Sequence, residues 1–436
     1  MAQSPPTMVD GTPEPVRVAV VTGLADRRPV GGHAGVWLRV AEAAAAGAGA
    51  GLQLDLLFLR RAGAPAAEAR APHVRIHRVP PLLDSDRLPF ARTAAGGTEL
   101  FSPSPALRRR LEALAPDVVV ISDPFGFGRT AARWAKRRGR ALVYAVQTRH
   151  DVFAAIYSRA ILARLLGERA ARVLDERLRL PARFAARTGT RIAHLMATAD
   201  HILASSRTEL ARLCEIHPPA RVSLWRRGVD FARFSPDRRD RAWLETAHGV
   251  PRDRFLLLFA GRVDESKGAP LLLEAVGAAM RVVPRLHLFI AGDGPWRARA
   301  KASLGARVTA PGALAQDELA RIMASADAFV FPSPSEAAAN VLREAQAAGL
   351  PILVPGSEAV AELVEQPGRD GFALPAGAPA AWAEAVAALA RQDAEARARE
   401  RVGIAARARR RHPDWRTVLD EDLLPVWRRL ARCRRG

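Results

Sequence analysis

The chain is short of cysteine, lysine and long apolar runs, and the first and last of these shortages each close off a class of protein. Two cysteines, Cys214 and Cys433, in 436 residues build neither a disulfide framework nor a cysteine-ligated metal cluster, which fits a reducing cytoplasm. No apolar run approaches the length that crosses a bilayer, so no spanning helix is expected. Residues 1–15, MAQSPPTMVDGTPEP, lack the apolar centre of a signal peptide and are expected to form a disordered tail. Lysine stands only at Lys136, Lys267 and Lys301, so nearly all of the 66 basic residues are arginine.

What is present is a globular composition with a strong basic excess. Hydrophobic residues make up 49% and charged residues 25%, as in ordinary soluble domains, and the length favours two domains, each with its own core. The net charge of +21 attracts polyanions, whether a membrane surface, nucleic acid or an anionic substrate. Basic-aromatic interleaving, zinc-finger spacing and RNA-binding signatures are all missing, so nucleic acid is not an expected partner. A compositional origin of the arginine bias is the alternative to a functional one.

The first domain opens with a strand over 16–22, a loop carrying Gly31-Gly32 and an alanine-rich helix to Ala46. Strand, glycine loop and helix N-terminus form the pattern of a phosphate cradle, with a plain tight turn as the alternative. Strands follow at 52–59 and 74–79, and residues 80–104 read as a long loop of the kind kept for binding. Helix, strand and helix are expected over 105–114, 117–122 and 126–138. The strand over 141–146 then runs into Gln147-Thr148-Arg149-His150-Asp151. Over 154–199 apolar residues such as Leu165, Leu166, Val173 and Leu178 alternate at helical spacing with arginines such as Arg169, Arg172, Arg183 and Arg187. Such a basic amphipathic stretch lies on anionic lipid or packs on a core with a solvated face, and both readings fit.

The second domain begins with a continuously apolar strand over 255–260, as a central parallel strand should. Gly261 lets the backbone turn, and Arg262 and Lys267 flank a loop that opens a helix from Gly268. Two cations and a helix N-terminus suit a diphosphate whose charge rises as a bond to it breaks. Lys267 carries weight in a chain that otherwise uses arginine. Further units follow at 286–291, 316–324, 327–331 and 351–354, then two alanine-arginine helices after Ala380 and a closing helix to Cys433. Glu336 falls in the loop after the strand over 327–331, and Glu344 on the helix over 341–348, stopped by Gly349. The carboxyl ends of parallel strands form the ligand crevice of open α/β sheets. Both carboxylates there can accept from the vicinal hydroxyls of a sugar or a ribose. The competing reading is a first-turn acid favoured by the helix dipole and a solvated surface charge.

Four stretches occur in a fixed order: Gly228-Val229-Asp230 to Phe234-Ser-Pro236, Gly261-Arg262 to Lys267-Gly268, Gly292-Asp-Gly-Pro295, and Glu336-x7-Glu344 followed by Gly349 and Pro351. Together they resemble the retaining glycosyltransferases of the GT-B fold, in the large family that includes bacterial lipid and polysaccharide hexosyltransferases. The resemblance is strong from about residue 200 to 375. It implies an α/β GT-B fold of two facing Rossmann-like domains with an inter-domain cleft and a C-terminal helix crossing back. The domains would be an acceptor-side domain over 16–228, a nucleotide-sugar-binding domain over 229–412 and the returning helix over 413–436. It implies hexose transfer from a nucleotide diphosphate sugar to a hydroxyl, with retention and with neither a metal nor a resident cofactor. Arg262 and Lys267 would hold the diphosphate and Glu336 the sugar hydroxyls. His150, with Gln147 competing for the role, would touch the transferred sugar. Glu344 would accept from the ribose, with Gly31, Gly32, Gly261, Gly292, Asn340 and Val341 as further nucleotide-sugar contacts.

The expected partners are the nucleotide sugar, a lipid or glycan acceptor and the anionic inner face of the cytoplasmic membrane. A soluble sugar or small-molecule acceptor, a sugar epimerase and a sugar-binding protein are the alternatives. Two departures stand out. Ala337-Ala338-Ala339 replaces a segment that usually ends in Phe-Gly, which puts sugar preference in question, and Ser266 replaces the usual acid before the loop lysine.

Overall fold

The computed structural model describes residues 8–9, 12–26, 32–47, 51–61, 63–85, 98–99, 101–147, 158–159, 161–163, 165–333, 339–356 and 359–435. The chain divides into two units, Met1–Arg226 with Trp415–Gly436, and Arg227–Asp414. The sequence reading put these boundaries after residues 228 and 412. The second unit is thus inserted in the first, and its two ends meet: the Val229 amide donates to the Pro413 carbonyl at 3.0 Å.

Unit 1 is built on an eight-stranded sheet. Its strands are β3 (Val16–Val21), β4 (Leu52–Leu59), β5 (Ala67–Ala71), β6 (Val74–Val79), β7 (Val118–Ile121), β8 (Ala141–Ala145), β9 (His201–Ala204) and β10 (Val222–Leu224). They lie in the order β10-β9-β8-β7-β3-β4-β6-β5, all parallel except the β5–β6 pair. Burial on both faces explains the unbroken apolar runs. In β7, Val118 and Val120 pack in one core cluster and Val119 and Ile121 in the other.

The first cluster is closed by the end of the chain. A helical run passes from Trp415–Thr417 through a π turn, Val418–Leu423, into Leu424–Arg435. It buries Val418, Leu423 and Trp427 against β3, β7 and β8 and the helix Gly32–Ala46. Trp37 of that helix stacks on Trp225 with ring centroids 4.5 Å apart. Where the chain leaves the sheet, Arg226 grips Asp422 through Nε at 3.1 Å and Nη2 at 2.7 Å, and the Arg226 amide donates to the same carboxylate at 2.9 Å. This two-pronged geometry with a nearly buried acid is the stronger kind of ion pair.

Unit 2 carries a six-stranded sheet: β11 (Phe255–Ala260), β12 (Leu286–Ala291), β13 (Val308–Gly312), β14 (Ala328–Val330), β15 (Ile352–Pro355) and β16 (Gly371–Leu374). All are parallel, in the order β13-β12-β11-β14-β15-β16. Buried Asp327 ties β14 to β11 by accepting from the Leu256 amide at 2.8 Å, and Arg241 Nη2 pairs with it at 2.5 Å. Helices Ala269–Val282 and Pro379–Arg391 cover one face, and Gln316–Ser325 and Asn340–Ala347 the other.

Several features escaped the sequence reading. The expected disordered tail holds a short antiparallel pair, β1 (Met8–Val9) with β2 (Thr12–Pro13). Its signal is the intervening Asp-Gly dipeptide, which two-residue hairpins favour. Strands β5, β13 and β16 lie at sheet edges, where a sequence such as Ala-Glu-Ala-Arg-Ala or one containing Pro311 is tolerated without apolar patterning. The basic stretch splits into helices Glu168–Leu178 and Leu180–Thr198 at Arg179, whose φ is 48°, just ahead of Pro181. Val173, Leu178 and Phe184 on these helices are 49%, 43% and 44% exposed, while Leu195 and Met196 of the second helix are buried in the core of unit 1. Among the described residues no helix is long and apolar enough to cross a membrane.

The closing helical run belongs to the core of unit 1, while Trp382, with its indole N–H on the Pro375 carbonyl at 2.9 Å, belongs to that of unit 2. Trp427→Ala is expected to cost ~3–5 kcal/mol in unit 1 and Trp382→Ala a similar amount in unit 2. Limited proteolysis during thermal unfolding checks this: each variant should expose cleavage sites in its own unit at lower temperature.

Candidate functional site

In both sheets the chain order reverses between two central neighbours, β3 and β7 in unit 1 and β11 and β14 in unit 2. In open α/β sheets ligands bind beyond the carboxyl ends of the strands at this reversal. The loops there in unit 2 are the ones that hold Arg262, Lys267 and the approach to Glu336.

The backbone of this corner is held together by close approaches. Gly261 ends β11 and donates its amide to the Ala291 carbonyl at 3.0 Å. A Cβ on Gly292, which follows β12, would lie 1.8 Å from the Gly261 carbonyl oxygen, so only glycine lets the two loops touch. Gly268, at φ 73°, approaches the chain after β14 in the same way: a Cβ there would lie 2.2 Å from the Pro332 carbonyl oxygen. Ser333 Oγ donates to the Ser266 carbonyl at 3.3 Å. Three strand ends thus share one small surface.

On that surface Asp264 organises the cations. It accepts from the Lys267 amide at 3.2 Å and from Ser266 Oγ at 2.6 Å, and pairs with Arg262 Nη1 at 3.3 Å. Arg262 Nη2 also donates to Ser266 Oγ at 2.9 Å. Ser266 therefore relays between Arg262 and Asp264, a use its departure from the family pattern did not reveal. The Lys267 ammonium lies 5.8 Å from the centroid of the Phe331 ring, within the range of a cation–π contact. Burial, with Arg262 close by, pushes the Lys267 pKa down to about 8. Its charge is therefore conditional, which an ordinary surface lysine's is not.

Asn340, Val341 and Glu344 lie on the helix Asn340–Ala347, which starts after the β14 loop. Asn340 Oδ1 is buried with no hydrogen-bond partner among the described residues. Arg343 of the same helix donates to the Ala339 carbonyl at 3.3 Å, and burial and Arg411 lower its pKa to about 10. Glu344 is half-buried. The structure thus brings Gly261, Arg262, Lys267 and Gly292 together and puts Asn340, Val341 and Glu344 on the helix that leaves the same edge. Glu336 lies outside the described residues, as do Gly31 and His150 of unit 1.

In unit 1, Gly32 is the first residue of the helix Gly32–Ala46, and a Cβ there would meet nothing within 4 Å. At the strand ends of the reversal, buried Asp123 accepts from the amides of Gly23 and Phe125, both at 3.0 Å. Burial raises its pKa. Ser122 Oγ, Gln147 Nε2 and Ser205 Oγ, each just past a strand, are buried without a partner among the described residues. Sequence reasoning named Gln147 and missed the other three. Their signal was a polar residue ending an apolar run, a pattern too common to single them out.

Comparison with known proteins agrees with this architecture. Residues 254–392 match the family described as "Glycosyl transferases group 1", and residues 30–233 match "Glycosyltransferase Family 4". The chain is 32% identical over 366 residues to a GDP-mannose-dependent alpha-mannosyltransferase of Mycobacterium tuberculosis, covering 82% of this chain and 83% of that protein. It is 29% identical over 253 residues to a D-inositol 3-phosphate glycosyltransferase of Nocardioides, covering 53% of this chain and 54% of that protein. Among solved structures it resembles a sucrose-phosphate synthase from Thermosynechococcus elongatus, with a TM-score of 0.69, 19% identity and coverage of 96% and 100% of the two chains. It also resembles WaaG, a glycosyltransferase of lipopolysaccharide biosynthesis, with a TM-score of 0.60, 18% identity and coverage of 96% and 100%. With both halves matched in this way, the chain belongs to the family 4 (group 1) glycosyltransferases and is an enzyme of the GT-B fold.

Proposed function

We propose that the enzyme transfers a hexose, mannose in the favoured reading, from a nucleotide diphosphate sugar to a hydroxyl of a membrane lipid or lipid-linked glycan, with retention of configuration and without a metal. The observation that carries this reading is the pair of cations at the strand reversal of unit 2, Arg262 held by Asp264 and Ser266 and Lys267 with its amide on Asp264 and its ammonium over the Phe331 ring. Relatives named as GDP-mannose-dependent mannosyltransferases support GDP-mannose as donor. The exposed apolar side chains on the arginine-rich helices of unit 1 support an acceptor at a membrane surface.

In this mechanism the bond between the sugar's anomeric carbon and the diphosphate oxygen breaks, and its electron pair goes to that oxygen. Arg262 and Lys267 face the charge that develops there, and the Arg262 guanidinium acts without reorganising because Asp264 and Ser266 already hold it. The acceptor hydroxyl forms the new bond from the face the diphosphate leaves, and its proton passes to the departing phosphate oxygen. Glu344 accepts from the ribose hydroxyls and Glu336 from the sugar ring, while the amides of Asn340 and Val341 open a helix N-terminus toward the phosphates. Ribose contacts strengthen binding equally in ground and transition states, whereas the cations act on the step itself.

Among GDP-mannose, UDP-glucose, UDP-galactose and UDP-N-acetylglucosamine, GDP-mannose is expected to raise the melting temperature most and to support transfer to an extract of membrane lipids. Lys267→Ala or Arg262→Ala should lower turnover about 10²–10³-fold with the fold intact by circular dichroism. A loss under about tenfold would remove the diphosphate role.

The Lys267 pKa sets a pH dependence. Below about 8 the side chain is charged and able to meet a diphosphate, so kcat/KM is expected to fall as pH rises through about 8. Lys267→Arg should move that limb upward. The stability effect has the opposite sign. A depressed lysine pKa means the unfolded chain binds more protons, so the folded state gains stability as pH rises from about 8 toward the ordinary lysine value. Lys267→Met is therefore expected to melt higher than the parent enzyme at pH 7, by a margin that closes by about pH 10.5.

A further inference from the structure

A second basic site lies in unit 1, at the opposite edge of the sheet from the strand reversal. A cavity of about 800 Å³ opens beside the amino ends of β8 and β9, where Gly139, Arg140, Leu142 and Asp200 line it. Its walls are the helices Gly126–Arg137 and Leu180–Thr198 and the end of the closing helix. The floor is apolar, made by Ala132, Leu142 and Leu195, all buried. The rim is cationic. Arg129, Arg133 and Lys136 come from one helix and Arg191 and His194 from the other.

The charge at this rim is not internally balanced. Among the described lining residues Asp200 is the single acid, and it is engaged: it pairs with Arg434 at 2.6 Å and accepts from the Leu142 amide at 2.9 Å. Arg140 pairs with Asp117 at 3.3 Å. Arg133 reaches only a hydroxyl, Ser102 Oγ, at 3.2 Å. For Arg129, Arg133, Lys136 and Arg191 no carboxylate lies within ion-pair distance among the described residues. Arg129 is half-buried, it shares the cavity wall with Arg133 and Arg191, and burial together with these two arginines lowers its pKa. Other partly buried arginines are paired with acids, as at Arg226 and Arg241. Concentrated like charge over an apolar floor focuses potential on an anion, and arginine forks match phosphate oxygens two at a time.

We propose that this cavity binds phosphate-bearing anions, with Arg129, Arg133, Lys136 and Arg191 serving as counter-ions to two or more phosphate oxygens and the apolar floor accepting an organic portion of the ligand. The inference does not depend on the transferase reading. Two sources share this chemistry: a soluble phosphorylated compound and the headgroup of an anionic lipid. On the helix Leu180–Thr198, Phe184, Arg187, Arg191 and His194 recur at three- and four-residue spacing along one face. An exposed aromatic ring on the stripe that enters the cavity fits a headgroup at a membrane surface.

The test uses the full-length enzyme and two double variants of equal charge change, Arg129→Ala/Arg191→Ala in the cavity and Arg109→Ala/Arg110→Ala on the exposed helix Pro105–Leu114. All carry Arg262→Ala and Lys267→Ala, which remove both cations of the unit 2 loop. Inorganic pyrophosphate is titrated while melting temperature is followed. Sedimentation is measured with vesicles of phosphatidylglycerol and phosphatidylcholine, and of phosphatidylcholine alone. The cavity variant should melt at or above its parent, because two mutually repelling charges are gone. It should lose about tenfold or more of its affinity for pyrophosphate, while the surface variant keeps its own. A matching loss on phosphatidylglycerol vesicles assigns the site to a lipid headgroup; loss with pyrophosphate alone assigns it to a soluble phosphate compound. Equal behaviour of the two variants in both arms, or no binding by the parent in either, would overturn the proposal.

Discussion

The cation-bearing corner of unit 2 depends on one steric constraint, the touching of two backbones at Gly261 and Gly292. A single methyl group at residue 292 would overlap the Gly261 carbonyl oxygen at 1.8 Å. The loops after β11 and β12 would then have to part. The loop after β11 also carries Asp264, and through it the orientation of Arg262 and the Lys267 amide. It is pinned at its other end by Gly268 against Pro332. A steric fact about glycine therefore becomes an electrostatic one about where two positive charges stand. A non-bonded overlap this close forces the backbones apart, whereas a partly exposed ion pair contributes about 0–1 kcal/mol. The positioning is done by the stiffer of the two.

The central strands were legible in the sequence because burial on both faces leaves no room for polar residues, as in Phe255-Leu-Leu-Leu-Phe-Ala260. The cation loop was legible because glycine, arginine and lysine stand at fixed spacing beside such a strand. Edge strands were not: with one side open, β5 and β13 need neither apolar alternation nor freedom from proline. The Asp264–Ser266 relay was missed for another reason. Local hydrogen bonds among three polar residues depend on how their loop is held, and it is held by the approach of Gly268 to Pro332, far along the chain. The buried hydroxyls of Ser122 and Ser205 posed the same difficulty.

The protein handles positive charge in two ways. Structural guanidinium groups are matched with acids, such as Arg226 with Asp422 and Arg241 with Asp327. There the acid is nearly buried and removal of either partner strands a charge. Other cations stand near like charge, as Arg129 does with Arg133 and Arg191, and among the described residues no carboxylate lies within ion-pair distance of it. The folded state bears the repulsion. The bulk excess of +21 is thus less informative than its distribution. Counting charges does not separate the paired from the unpaired.

The order of the chain also differs from the order of the fold. Unit 2 is complete once residue 414 has been made, whereas the core of unit 1 still lacks Val418, Leu423 and Trp427. During synthesis the half that begins first therefore finishes last. Until the closing helix is released, the apolar face of the first sheet waits uncovered, while a whole second unit folds between its two parts. That interval is an exposure to self-association that a simple tandem of domains would escape. It makes the nascent chain a natural client for molecular chaperones.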